Sequence, residues 1–279
     1  MKFYVSFALA VTLVLGMSGC SDDEESSGSD EIAVFSLPAK NIDTVDDAKN
    51  ASAVAGDSQN TGGIGGLSSS RSSAVVRAAQ APVLMKASQT FECEVGGNIV
   101  YDIDENENGT FSYNNCDDGR TISNGSGTVA DDVVTMNITI TQKSDGSTFS
   151  GNYRIKFTED ALFDTMAIYG NITIKESGMT SKYGYDNLAL AEQTNGNGMK
   201  INGKVSVELS QYSCINGSYT YTTEEMLIDN GQYLESGVVD INGVAYSFFI
   251  DNNGIGKITV EFPDGTTETI NQNQAIVCN

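Results

Sequence analysis

The stretch "DIDENENG", residues 102–109, sets Asp104, Asn106 and Asn108 at alternate positions ahead of Gly109, with Asp102 just before them. Alternate oxygen-bearing side chains converging on one cation, and a glycine for the tight turn, are how a D-x-[DN]-x-[DN]-G calcium loop begins. Asp102, Asp104, Asn106 and Asn108 are therefore candidate ligands for a calcium ion, held at the millimolar affinities of extracellular sites. Two features oppose this. The twelfth loop position is Asn115, where an EF-hand needs a bidentate glutamate, and the flanks alternate like strands rather than helices. Asn-Gly is also the strongest short hairpin signal, and an ordinary hairpin turn is the plainer reading of the same residues.

Other catalytic chemistry is limited by what the chain lacks. It has no His and no Trp. Ser-His-Asp triads, Cys-His dyads and His-ligated zinc are excluded. Carboxylate pairs remain available, but with 37 acidic residues no pair stands out, and no catalytic residue is assigned. "GGIGG" (62–66) sits in a Ser/Gly tract and reads as linker rather than phosphate loop. A formal charge of −22 repels phosphate backbones, so no nucleic-acid partner is expected.

Cysteine placement says where such a chain would work. Lys2 is the only charge before Asp22, and residues 3–17 are mostly apolar, a secretory-signal layout too short to span a bilayer. Met17-Ser18-Gly19 then precede Cys20. This resembles the lipobox of bacterial lipoproteins. The resemblance implies cleavage of residues 1–19, acylation of Cys20 (palmitate among the acyl chains) and anchoring to the outer membrane of a Gram-negative bacterium, facing periplasm or surface. Two or more acyl chains anchor stably where one does not. The following Ser21-Asp22-Asp23-Glu24-Glu25 looks like the acidic tracts that send some Bacteroidetes lipoproteins to the cell surface; a solvated tether is the plainer reading.

The remaining cysteines, Cys93, Cys116, Cys214 and Cys278, are an even number in an exported chain and allow three connectivities. Cys93–Cys116, bracketing one hairpin, and Cys214–Cys278 are the expected pairs. The unequal arms of the first need a bulge at Gly96-Gly97. A four-cysteine metal site is the alternative, but no Cys-x-x-Cys spacing occurs.

The elements that carry these residues read as β from about residue 88 onward. "NIVYDID", "VVTMNITI", "YRIKF", "NITIK", "KVSVEL", "VAYSFFI" and "KITVEF" alternate apolar and polar residues. Turn pairs fall between them at Asn108-Gly109, Asp145-Gly146, Asn202-Gly203, Asn242-Gly243 and Asp264-Gly265. The expectation is an all-β domain over 88–279: an antiparallel meander of about twelve strands, curled into a barrel or sandwich. Pairing Cys214 with Cys278 favours a closed or strongly curled sheet. Residues 20–87 read as a tether and low-complexity linker holding at most one loosely docked helix, 44–55. Thr44 and Asp47 have capping-box spacing, and Gly56 could end that helix. The segment "CEVGGNIVYDIDENENGTFSYNNCDDGRTISNGSG" (93–127) resembles a pattern in uncharacterised Gram-negative envelope lipoproteins, which implies no activity.

Two classes of function follow. One is a non-catalytic, lipid-anchored envelope protein that binds a protein or glycan partner or plays a structural part. The other is a carboxylate-dependent glycan-active enzyme. A carrier of an apolar ligand in a barrel cavity is a variant of the first. Most of the 12 Tyr and 11 Phe alternate with polar residues and read as core.

Overall fold

The computed structural model describes residues 32–60 and 88–279, apart from 105, 107, 195, 231, 273–275, 277 and 279. Cys20, the signal run, the acidic tract and the 62–66 linker lie outside the described residues. Among the described residues fourteen strands follow one α-helix, α1 (Val45–Asn60). They are β1 (Gln89–Glu92), β2 (Gly96–Ile103), β3 (Gly109–Asp117), β4 (Thr121–Ala130), β5 (Val133–Gln142), β6 (Thr148–Glu159) and β7 (Phe163–Glu176), then β8 (Met179–Gln193), β9 (Gly198–Leu209), β10 (Gly217–Asp229), β11 (Leu234–Ile241), β12 (Val244–Ile250), β13 (Gly256–Glu261) and β14 (Thr267–Asn271).

Each strand pairs antiparallel with its neighbours in sequence, giving a single meander ordered β1 to β14. β1 and β14 do not pair, so the sheet is open. It is neither a closed barrel nor a two-sheet sandwich. Turns at 93–95, 118–120, 143–147, 177–178, 210–216, 242–243 and 262–266 lie at one end of the strands. Those at 104–108, 131–132, 160–162, 194–197, 230–233 and 251–255 lie at the other.

Period-two alternation puts one apolar face inward. Its cross-strand rows run Phe111, Gly127, Met136, Tyr153, Gly170, Tyr185, Val205, Tyr219 and, beside it, Tyr113, Gly125, Ile138, Gly151, Ile172, Tyr183, Val207. Rings and glycines interleave: a Cβ on Gly127 would meet the Phe111 ring at 2.3 Å, and one on Gly151 the Tyr153 ring at 2.4 Å. Tyr153, Tyr185, Tyr219 and Tyr246 are wholly buried. Among the described residues one helix is the only other layer on this face. A single sheet buries such a face only by curling around it.

Glycine makes that curl. Gly170, inside β7, has φ +134°, and its missing Cβ leaves room for the Asn152 carbonyl, which a Cβ would approach to 2.4 Å. Gly203 does the same in β9 at φ +112° against the Asn187 carbonyl. Only glycine takes this conformation freely. Asn202-Gly203 is therefore a bend inside a long strand and not the turn its sequence suggests. The Asn202 Oδ1 accepts the Thr223 N–H at 2.9 Å, where the β9–β10 register shifts.

Helix α1 runs past Gly56 to Asn60, because a glycine in a helix costs only about 1 kcal/mol. Its start matches the capping box: Thr44 Oγ1 accepts the Asp47 N–H at 3.1 Å and donates to Asp47 Oδ2 at 2.7 Å. The docking is firm rather than loose. Ala48 and Ala51 are wholly buried, and small residues let the helix backbone approach the sheet. The Tyr246 hydroxyl reaches the Ala48 carbonyl at 3.3 Å.

Residues 32–42, expected as tether, instead form an extended strap on the outer face. The Phe35 N–H donates to Asn171 Oδ1 at 2.6 Å, and the Asn171 amide donates to the Ala33 carbonyl at 2.8 Å. Ala39 bridges Ser218 in parallel, and Asn242 Nδ2 donates to the Lys40 carbonyl at 2.9 Å. Gly184 lies directly under the Phe35 carbonyl.

Both expected disulfides form, Cys93–Cys116 and Cys214–Cys278. The register shift at Gly96/Asn98 absorbs the unequal hairpin arms. Both bonds anchor to the first set of turns, where the end of the strap at Lys40 and the start of α1 also lie. That end is closed; the other is open.

Candidate functional site

The inner rows change character toward the open end. Above the buried row Ile155, Ile168, Leu188 comes Phe157, Met166, Leu190, direct cross-strand neighbours that are each half-buried. The last row is Glu159, Asp164, Glu192, Met199, again in direct register. Three carboxylates thus stand side by side across β6, β7 and β8, at positions where alternation would put apolar side chains. Asp132 and Asp229 flank them in the electrostatics of the rim. The β6–β7 turn adds Leu162, 63% exposed.

Like charges directly opposite one another destabilise a sheet. The Glu192 carboxyl is raised above its ordinary range, first by burial, then by Asp164 and Asp229. Glu159 is raised as well, by desolvation and by Asp164 and Asp132. Among the described residues no Lys or Arg pairs with Glu159, Asp164 or Glu192. Lys200, close in sequence, lies on the outer face, with its ammonium 4.6 Å from the centre of the Phe163 ring. The arrangement holds concentrated negative charge above an incompletely covered apolar floor.

The residues picked out in 102–109 are at the same end but do something else. Asp102 sits on the outer face, one residue from the inward Ile103. Asp104 Oδ1 accepts the N–H groups of Asn106 at 2.8 Å and Asn108 at 2.9 Å, and the Asp104 N–H donates to the Asn108 carbonyl. Asn108 Oδ1 accepts the Asp131 N–H at 3.1 Å. The β12–β13 turn repeats the device: Asp251 Oδ1 accepts from Asn253 at 2.8 Å and Ile255 at 3.0 Å. Bonds to the Ile255 and Asn253 amides, with Lys257 beside it, hold Asp251 below its ordinary range despite some desolvation. Among the described residues no three Asp, Glu, Cys or His side chains converge closely enough to hold a metal ion.

A cavity of about 400 Å³ lies on the outer face between the strap and the sheet, lined by Ile32, Val34, Tyr169, Asp186, Lys204 and Ser206. Lys204 Nζ lies 3.4 Å from Ser36 Oγ, so the cation is turned to the strap.

Inside the curl, burial pushes the phenols of Tyr153, Tyr185 and Tyr221 well above the usual value, and they stay neutral. Among the described residues the Tyr153 and Tyr221 hydroxyls find no hydrogen-bond partner. These side chains fill the middle of the sheet and leave the open end as the place where the inner face meets solvent.

Sequence reading did not single out Glu159, Asp164 and Glu192. The signal was present as three strands ending alike: Ile155-x-Phe157-x-Glu159, Asp164-x-Met166-x-Ile168 and Leu188-x-Leu190-x-Glu192. No family model, curated protein or solved structure matches this chain.

Proposed function

We propose that this chain is a non-catalytic envelope protein, anchored to the outer membrane through Cys20, whose open sheet end binds a partner. One observation carries the binding role: Glu159, Asp164 and Glu192 occupy adjacent inward positions over half-buried apolar residues, an arrangement that costs stability where it stands. Stability spent at one place on a surface is a mark of function. The strap supports the anchoring role. Residue 32 follows Cys20 by twelve positions, at most about 40 Å of extended chain, so the outer face of β7–β10 is held close to the anchor.

The test is fractionation together with in-cell cross-linking. Wild-type protein stays with outer membranes and gives a discrete cross-linked product from a photo-reactive residue at position 162. Cys20→Ala releases or mis-processes the protein. If the Cys20→Ala chain fractionates with membranes at normal mature mass, the anchor is wrong. If position 162 yields no product while positions on the outer face do, the binding surface is wrong.

Carboxylate chemistry on a glycan is a second reading with its own observation. Asp164 and Glu192 are direct neighbours, and the Glu192 carboxyl is raised, as a general acid requires. Hydrolysis of a polysaccharide that stops in Glu192→Gln would favour it over binding alone.

A further inference from the structure

We propose that the open end of the sheet is the docking face for a basic amphipathic helix of a partner polypeptide. This rests on the binding role just described and names its partner's chemistry.

The floor requires an apolar partner. Phe157, Met166 and Leu190 are direct neighbours across three strands and stay partly exposed, while the row beneath them is fully buried. Leu162 stands 63% exposed at the lip. A contiguous apolar patch with a polar border is the ordinary form of an interaction site.

The rim requires a cationic partner. Glu159, Asp164 and Glu192 are spaced by the strand separation, about 4.8 Å, so they span about 10 Å. No described cation offsets them, and a cation brought by a partner would relieve their mutual repulsion. A lone divalent ion fits poorly, since no three of these groups converge on a point. A helix fits better. Its side chains at i and i+4 stand about 5–6 Å apart, close to the carboxylate spacing. Lys and Arg there would lay their aliphatic stems along the floor with their charges at the rim. The neighbouring helix stripe would carry the apolar residues that cover Met166 and Leu162.

The experiment uses the mature chain with Cys20→Ser and both disulfides intact. The probe is a labelled Leu/Lys peptide patterned as an amphipathic helix, titrated by fluorescence anisotropy at low and high salt. The expected result is saturable binding that weakens with salt and falls more than tenfold in Glu159→Gln/Asp164→Asn/Glu192→Gln. It should fall similarly in Leu162→Ser/Met166→Asn. A charge-matched control, Glu225→Gln/Glu261→Gln/Glu268→Gln, should bind as wild type, and a Leu/Glu peptide should not bind. Near-UV circular dichroism from the buried tyrosines checks that each variant is folded.

Equal weakening by the control triple would overturn the proposal, because the chain's overall charge would then be the cause. So would the absence of saturable binding, or spermine binding at the same site as tightly as the peptide. Binding that appears only when Arg71, Arg77 and Lys86 are changed to Ser would also overturn it, by making this chain's own basic residues the occupant. None of these outcomes depends on membrane fractionation or cross-linking, so failure here is separable from failure of the anchored-binding role.

Discussion

The two ends of the sheet use the same kind of tight turns and finish them in opposite ways. At the closed end both disulfides, the end of the strap and the start of α1 meet, and most of the described ion pairs lie there: Lys143 with Asp117, Lys182 with Glu208 and Lys40 with Asp47. At the open end like charges face one another, the last apolar row is partly exposed, and among the described residues Lys257 pairs with Asp251 at 3.9 Å. The difference teaches where this fold concentrates stability and where it gives some up. A sheet built only to be stable would alternate signs at both ends. The predictions below test this division, from the largest expected effect to the smallest.

Both ends depend on the bend between them. Gly170→Ala places a methyl group 2.4 Å from the Asn152 carbonyl at φ +134°. Strain and overpacking together should cost about 4 kcal/mol, enough to unfold a marginal domain. Denaturant unfolding measures it. A loss under 1 kcal/mol would mean the sheet does not need this bend, and the two ends would be independent.

Next come the closed-end staples. In the loop-entropy model, removing Cys214–Cys278, with a separation of 64 residues, costs about 4 kcal/mol, and removing Cys93–Cys116, with a separation of 23, costs about 3.5 kcal/mol. Ser pairs at these positions should lower the midpoint strongly, whereas Leu162→Ser at the open end should stay within about 0.5 kcal/mol. Comparable losses at both ends would erase the contrast.

The fold was legible in the sequence because its signal is local. Alternation in "VVTMNITI" or "KITVEF" needs no knowledge of the partner strand, and Cys93 and Cys116 bracket a single hairpin. The bends were not legible. Asn202-Gly203 has the composition of a turn, and only the Asn187 carbonyl across the sheet reveals it as a bend. The firm seat of α1 was hidden for a related reason: Val45, Ala48 and Val54 look thin as an apolar face, yet the small size of Ala48 and Ala51 is what brings the helix onto Tyr246. The carboxylate row was invisible because its members are distant in sequence and share only a register.

That register has a pH signature. Glu192 and Glu159 have raised folded-state pKa values, so their ionised forms disfavour the fold. The penalty is fully present above the folded value and disappears as pH falls toward the unfolded one. Turn carboxylates act oppositely. Asp160, bonded to the Leu162 and Phe163 amides, is held below its ordinary range, and its stabilisation is lost as pH falls through that lowered value. Thermal stability should therefore rise from neutral pH into the mildly acidic range and then fall below the ordinary carboxylate range. The Glu159→Gln/Asp164→Asn/Glu192→Gln variant should be about 0.5–1 kcal/mol more stable than wild type at neutral pH and lose most of the initial rise. A wild-type rise that persists undiminished in the variant would assign it to net charge and not to this row.

The smallest expected effect is that of calcium on the two Asp-capped turns at the open end. Asp104 and Asp251 each accept two amides of their own loop. If both serve as turn caps, Asp104→Ala and Asp251→Ala should each cost about 1 kcal/mol, and neither cost should change between calcium and EGTA. Only Asp104 carries the oxygen spacing of a calcium loop. A calcium site there would need Asp104 Oδ1 to leave the Asn106 and Asn108 amides, exchanging two hydrogen bonds for the ion. Melting of the mature chain in millimolar calcium separates the two roles. A rise in midpoint that vanishes in Asp104→Ala and survives in Asp251→Ala would make residues 102–109 a cation loop. Equal melting curves in calcium and EGTA for all three proteins would make the two turns the same structural device.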